Sequence, residues 1–170
     1  MTGGAFRWTP AYIGLGSNLD SPRRQIDTAL AALKRLPQTR LIAVSPVYRS
    51  APMGPADQPD YLNAAAALLT RLGAEDLLAE LQSIEKAQGR ERDGERWGPR
   101  TLDLDLLVYG RDQHDSASLT LPHPGIAERN FVLFPLRDIA PHLGIPGLNS
   151  VSVLAAGMAT DGPLLERLDA

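Results

Sequence analysis

Residues 101–108 read TLDLDLLV, and the first six alternate polar and apolar side chains with a period of two. That period belongs to a β-strand, and a strand with one apolar face needs a sheet and a core to bury it. Leu102, Leu104, Leu106 and Val108 then point into a core, and Thr101, Asp103, Asp105 and Leu107 point the other way. Same-face β-carbons two residues apart lie roughly 6–7 Å from each other. The two carboxylates therefore repel unless a cation sits between them. Magnesium suits the arrangement, because it prefers oxygen ligands and is often held by one or two carboxylates with phosphates and water completing its shell. A solvated edge strand carries the same D-x-D pattern, so the pattern alone does not decide.

Around this strand the chain alternates between strand and helix. "AYIGLGSNL" is a short strand-like run, and Gly14 and Gly16 are expected to let the chain turn out of it. "SPRRQIDTALAALKRL" follows as a helix, with Ser21 expected as N-cap and Pro22 as its first residue. Ile26, Ala29, Leu30, Leu33 and Leu36 make its apolar face, and Pro37 stops it. "TRLIAVSPVYRS" reads as one strand, and "APMGPADQPD" as a loop. "YLNAAAALLTRL" is ambiguous: its alanines favour helix, while its place between loops favours strand. "AEDLLAELQSIEKAQG" is an amphipathic helix with Leu77, Leu78, Leu81 and Ile84 inward and Gly89 at its end. After the aspartate strand come a short strand, a loop and a short helix near 131–138, and the last twenty-odd residues carry a weak helical pattern. Strand–helix–strand, twice, is the order of a split βαβ, an α+β, ferredoxin-like βαβ-βαβ sandwich with a mainly antiparallel sheet. A doubly wound parallel sheet would bring more strands and a more regular alternation.

Composition narrows the function classes. The 170 residues fit a single domain with its core at about 11–141, and the formal net charge of -3 argues against a broad nucleic-acid surface. With no cysteine there is neither a disulfide frame nor a thiolate metal site. The N-terminal "MTGGAFRWTP" lacks the apolar core of a signal peptide, and no apolar run approaches the ~20 residues of a membrane helix. The expectation is a cytoplasmic monomer with small-molecule partners, and neither nucleic acid nor membrane among them.

Immediately before the aspartates stand Arg90, Arg92, Arg96 and Arg100. A guanidinium fork pairs with phosphate oxygens through two parallel hydrogen bonds. Together with the carboxylates these arginines point to one site for a nucleotide's phosphates and its metal. Salt bridges to Glu91, Asp93 and Glu95 would explain them too, and Lys34 and Lys86 are the only lysines, so arginine is the chain's usual cation. "GLGSN" has Leu19 where a dinucleotide fingerprint needs a third glycine, and no G-x-x-x-x-G-K-[ST] occurs. His123, between two prolines and near Arg129, is a candidate phosphate-facing donor or a structural loop histidine. Tyr61, Trp97 and Phe131 are either fillers or rings that stack on a flat heterocycle.

The blocks "YIGLGSNL", "VYRSAPMGPADQPDYLNAA", "ERWGPRTLDLDLLVYG" and "LTLPHPGIAERNFVLFPL" closely resemble the 6-hydroxymethyl-7,8-dihydropterin pyrophosphokinase family of folate biosynthesis, from about Tyr12 to Pro141. The resemblance implies a ferredoxin-like fold, makes "YLNAAAALLTRL" a strand, and implies transfer of diphosphate from ATP to the pterin's hydroxymethyl group with release of AMP. It implies that Asp103 and Asp105 ligate two Mg2+ ions. It places Arg90, Arg92, Arg96, Trp97 and Arg100 on a mobile catalytic loop, with Arg92 and Arg100 stabilising the spreading charge. Gln82, Glu85, Leu106, Thr120, His123 and Arg129 match nucleotide-side positions. Tyr61 and Phe131 match rings that sandwich the pterin, Asn63 matches a partner of its edge, and backbone groups of Ser50, Ala51 and Met53 add hydrogen bonds. Ser118, Pro124 and the Ser50–Ala51 pair depart from some members. Two rivals from other classes are a D-x-D glycosyltransferase and a non-catalytic ferredoxin-like module.

Overall fold

A computed structural model describes residues 7–51, 58–89, 101–158 and 165–168. β1 (Thr9–Ser17) leads through α1 (Pro22–Lys34) to β2 (Thr39–Val44) and β3 (Tyr48–Ser50). β4 (Tyr61–Thr70), α2 (Ala74–Ala87) and β5 (Asp103–Tyr109) repeat the pattern. β6 (His114–Asp115), β7 (Thr120–Leu121), a 3-10 turn (Ile126–Glu128), α3 (Asn130–Ile139), α4 (Val151–Ala156) and β8 (Leu165–Arg167) follow. The main sheet has the order β5-β1-β4-β3-β8, and β2 pairs with β4 further along the edge that β3 uses. Every pairing in it is antiparallel. This is the interleaved split-βαβ order of a ferredoxin-like fold and excludes the doubly wound parallel sheet. No helix among the described residues is long and apolar enough to cross a membrane.

The alanine-rich segment is a strand because it lies at the centre of the sheet. β4 pairs with β1 on one side and with β2 and β3 on the other, so its backbone groups are satisfied across two ladders. Helix propensity, a few tenths of a kcal/mol per residue, does not compete with that. The run expected as one strand at 39–50 is two. Pro46 has no amide for the ladder, and at the break the Ser45 amide donates to the Ala65 carbonyl (2.9 Å) while the Ala65 amide donates to Ser45 Oγ (2.8 Å).

α1 and α2 cover one face of the sheet. Ile26, Ala29, Leu33, Leu77 and Leu81 are fully buried there against Ile13, Leu15, Ala66, Leu104 and Leu106. Pro22 starts α1 as expected, but the Ser21 hydroxyl does not cap it. Asp20 and Ser21 are both left-handed, at φ 54° and 62°, whereas a capping hydroxyl works from an extended residue. Gln25 supports the turn instead, its amide donating to the Ser21 carbonyl (3.1 Å) and its side chain to the Asp20 carbonyl (3.0 Å).

α3 and α4 pack on the opposite face, where Val132, Leu133, Leu136, Val151 and Ala155 meet Ala65, Leu107 and Val108. Apolar packing therefore continues beyond residue 141. The strict alternation expected of β5 holds only as far as Leu107. Tyr12 pairs with Val108 and Ile13 with Leu106, so Leu107 is an extra residue opposite β1. This bulge turns Val108 to the α3 side with Leu107, rather than to the core of Leu102, Leu104 and Leu106. Of the weak helical pattern in the last twenty-odd residues, α4 forms, and a strand follows it. β8 extends the sheet beside β3, with Glu166 paired to Arg49 at 2.5 Å.

Candidate active site

Cross-strand partners share a face of a sheet. Ser50 of β3 lies opposite Tyr61 of β4, and Asn63 of β4 lies opposite Gly16 of β1. Gly16 and Gly14 in turn lie opposite Asp103 and Asp105 of β5. On this face the row Asn63–Gly16–Asp103 crosses β4, β1 and β5, with the Ser50–Tyr61 pair beside it, so hydrogen-bonding groups, bare glycine and carboxylates follow one another. The first turn of α3 stands over this row with Phe131 and Val132, Arg129 precedes it, and the space between is a pocket. Pro135 gives no amide to the Phe131 carbonyl, so the turn that carries Phe131 is less tightly tied than an ordinary first turn.

Gly14 and Gly16 do not turn the chain out of β1. The strand runs through both to Ser17, and they form the pocket floor. A β-carbon at Gly16 would lie 3.5 Å from Asn63 Oδ1 and 3.8 Å from Tyr61 Cδ1, in ordinary contact. A methyl would therefore fit the protein and take up ligand space. The spacing G-x-G inside a strand carries that signal, because residues two apart share a face.

Asn63 is buried, and its Nδ2 donates to the equally buried Ser50 Oγ at 2.8 Å. That bond fixes the amide and leaves Oδ1 on the side of Gly16. Tyr61 and Phe131, on different elements, both line the pocket, as do Ser50 and Ala51. At the other end Asp103 and Asp105 are both partly exposed to the pocket. His123 stands beside them, its Nε2 3.8 Å from Asp105 Oδ1. Its Nδ1 accepts from the Gly125 amide at 3.1 Å, which assigns the proton of the neutral ring to Nε2. Burial, helped by the Arg129 charge and opposed by Asp103, holds its pKa below the ordinary value, so the neutral ring is favoured.

Four further hydrogen bonds, unforeseen from the sequence, hold this end of the sheet together. Ser17 Oγ donates to the Thr101 carbonyl, tying the end of β1 to the start of β5. Buried Asn18 donates to Gln58 Oε1 and to the Pro59 carbonyl, both at 2.9 Å. Glu85 is 2 % exposed, and its carboxylate accepts from the Leu104 amide at 2.7 Å. Glu85 thus anchors β5 to α2 between the two aspartates in sequence. It does not line the pocket, and neither do exposed Gln82 and Thr120. The Leu106 side chain sits in the opposite core with α1 and α2. Arg90, Arg92, Arg96, Trp97, Arg100 and Met53 lie outside the described residues.

A second, wider depression lies at the opposite end of β1, where Trp8 is overlain by Arg40 and Arg71 at 4.9 and 5.6 Å from its ring centre. The paired carboxylates, the glycine floor and the rings of Tyr61 and Phe131 belong to the first pocket. Residues 12–141 match the model of the 7,8-dihydro-6-hydroxymethylpterin-pyrophosphokinase (HPPK) family. The chain belongs to this family. Among HPPK relatives, a 2-amino-4-hydroxy-6-hydroxymethyldihydropteridine pyrophosphokinase of Pseudomonas aeruginosa is 53% identical over 92% of this chain and 95% of its own length. The enzyme of that name from Haemophilus influenzae is 47% identical over 88% and 92%. The crystal structure of wild-type Plasmodium falciparum HPPK-DHPS with pteroate superposes with a TM-score of 0.69 at 13% identity, over 88% of this chain and 42% of that longer chain. At that identity the likeness speaks for the fold.

Proposed function

We propose that the pocket between β1, β4, β5 and α3 is where this HPPK-family enzyme transfers diphosphate from ATP to the hydroxymethyl group of 6-hydroxymethyl-7,8-dihydropterin. The activity, a step of folate biosynthesis that releases AMP, is that of its relatives at 45–53% identity. The observation that carries the assignment of the site is the single row from Asn63 across Gly16 to Asp103. It sets a slot for a flat heterocycle directly beside a pair of carboxylates.

In this reading Tyr61 and Phe131 stack on the two faces of the pterin. Asn63 Oδ1, its amide held by Ser50, accepts from a ring-edge N–H. The bare floor at Gly14 and Gly16 lets the ring lie close to the sheet. The hydroxymethyl group then projects towards β5. The donor set there is two half-exposed carboxylates on one strand, which fits Mg2+ and leaves room for phosphate oxygens and water. Bound Mg2+ would neutralise triphosphate charge and make the hydroxyl more acidic. Arg129 and the Nε2–H of His123 offer further donors to phosphate oxygens on the same side. The hydroxyl oxygen attacks the β-phosphorus, the bond from that phosphorus to the α–β bridging oxygen breaks, and AMP leaves with the electron pair. Arg92 and Arg100 are assigned to the spreading charge by the family resemblance alone. The same reading makes the protein a single-domain, cytoplasmic monomer acting on small molecules, in keeping with its nearly balanced charge.

The test is product identity. With ATP, Mg2+ and the hydroxymethyl-dihydropterin, the expected products are AMP and the pterin diphosphate in equal amounts. Formation of ADP, or no nucleotide turnover, would overturn the assignment.

A further inference from the structure

Gly125 opens the 3-10 turn between β7 and α3 with φ -94° and ψ 3°, a conformation open to other L-residues. Its backbone does not require glycine. Its amide donates to His123 Nδ1 at 3.1 Å and its carbonyl accepts from the Glu128 amide at 3.2 Å, and alanine would keep both bonds. What glycine supplies is the absence of a β-carbon. A β-carbon there would lie 2.4 Å from Arg129 Cζ, 2.5 Å from Nε and 2.8 Å from Nη2. Buried Gly125 is therefore the surface on which the Arg129 guanidinium rests. All three atoms belong to the far end of a flexible side chain, so an added methyl would displace the guanidinium before it displaced the turn.

Arg129 lines the pocket together with Asp103 and Asp105. A guanidinium recognises phosphate by a planar, two-pronged geometry, so its value depends on where its plane lies as much as on its charge. We infer that Gly125 is a positioning residue, a seat without a side chain that holds the Arg129 guanidinium where it meets the anionic co-substrate. The inference rests on the functional reading above, and its own content is the dependence of Arg129 on Gly125.

A double-mutant cycle tests it. Gly125→Ala should raise KM for ATP about ten-fold, the scale of one charge-assisted phosphate contact, with KM for the pterin and the melting temperature near wild type. Arg129→Ala should raise KM for ATP at least as much. The double variant should match Arg129→Ala alone, because the methyl then has nothing to displace. Wild-type kinetics in Gly125→Ala, or an effect that adds in full to that of Arg129→Ala, would overturn the inference. The 15N NMR signal of Arg129 Nε–H separates this failure from failure of the functional reading. A dispersed signal in the free protein that collapses to the solvent-averaged position in Gly125→Ala supports the seat even if no AMP forms. An unchanged signal overturns it even if AMP forms normally.

Discussion

The two faces of the sheet use the same strands for opposite purposes. On the α1–α2 side, Ile13, Leu104 and Leu106 project into a dry core with Ile26, Leu33, Leu77 and Leu81. On the α3 side, the neighbouring positions Gly14, Gly16, Asp103 and Asp105 are left for a pocket. One residue along β5 separates a side chain that holds the fold from one that lines the pocket. The α1–α2 face is apolar packing throughout, while the α3 face joins a second apolar core, with Leu107, Leu133 and Leu136 fully buried, to a pocket that leaves two like-charged carboxylates partly exposed.

This contrast can be broken from either side. The largest effect belongs to the pocket side: Asp105→Asn should lower kcat by about 10²–10³-fold or more, as expected for removing a group that organises transition-state charge. Its melting temperature should be unchanged or higher, since a like-charge pair has been relieved. A large loss of stability would show that Asp105 belongs to the fold. Leu81→Ala, fully buried on the other side, should cost about 2–5 kcal/mol in urea unfolding. The folded fraction should keep its KM values, and a selective rise in KM for the pterin would contradict the division of labour. Gly16→Ala sharpens the comparison, because the methyl meets only ordinary contacts. KM for the pterin should rise about ten-fold, with ATP and stability little changed.

The smallest effect is on pH dependence. Tyr48 donates its hydroxyl to Asp138 and so ties β3 to α3. Burial, then Asp138, pushes its pKa up from 10.0 to about 12. The folded state holds the proton more tightly, so this contribution is complete below pH 10 and is lost as pH rises towards 12. Between about pH 9 and about pH 11, wild type should lose more stability than Tyr48→Phe in urea titrations. Equal losses would remove Tyr48 from the alkaline limb.

Periodicity made the helix faces and the alternation of Asp103 with Leu104 legible, because burial on one side of an element leaves a repeat in the sequence. Residues distant in the chain but adjacent in the sheet left no repeat. The bulge at Leu107 depends on how β1 and β5 pair, so Val108 was assigned to the wrong face. Gly14 and Gly16 read as a turn because glycine signals turns locally, and only their neighbours on β4 and β5 make them a floor. Glu85 matched a nucleotide-side position, yet its carboxylate holds the Leu104 amide, a partner nineteen residues away. The strand at 165–167 escaped notice because three residues are too few for a period. Asn63 came from the family resemblance, Tyr61 and Phe131 stood out among few aromatics with two readings open, and their meeting in one pocket required the fold.

The central claim is that Asp103 and Asp105 together hold the divalent cation that accompanies the nucleotide. The direct measurement uses Mn2+ in place of Mg2+ and follows free Mn2+ by electron paramagnetic resonance, with a non-hydrolysable ATP analogue present. Wild type should withdraw Mn2+ from solution beyond what the analogue alone withdraws, and the folded Asp103→Asn/Asp105→Asn variant should not. Equal withdrawal by that variant would contradict the account.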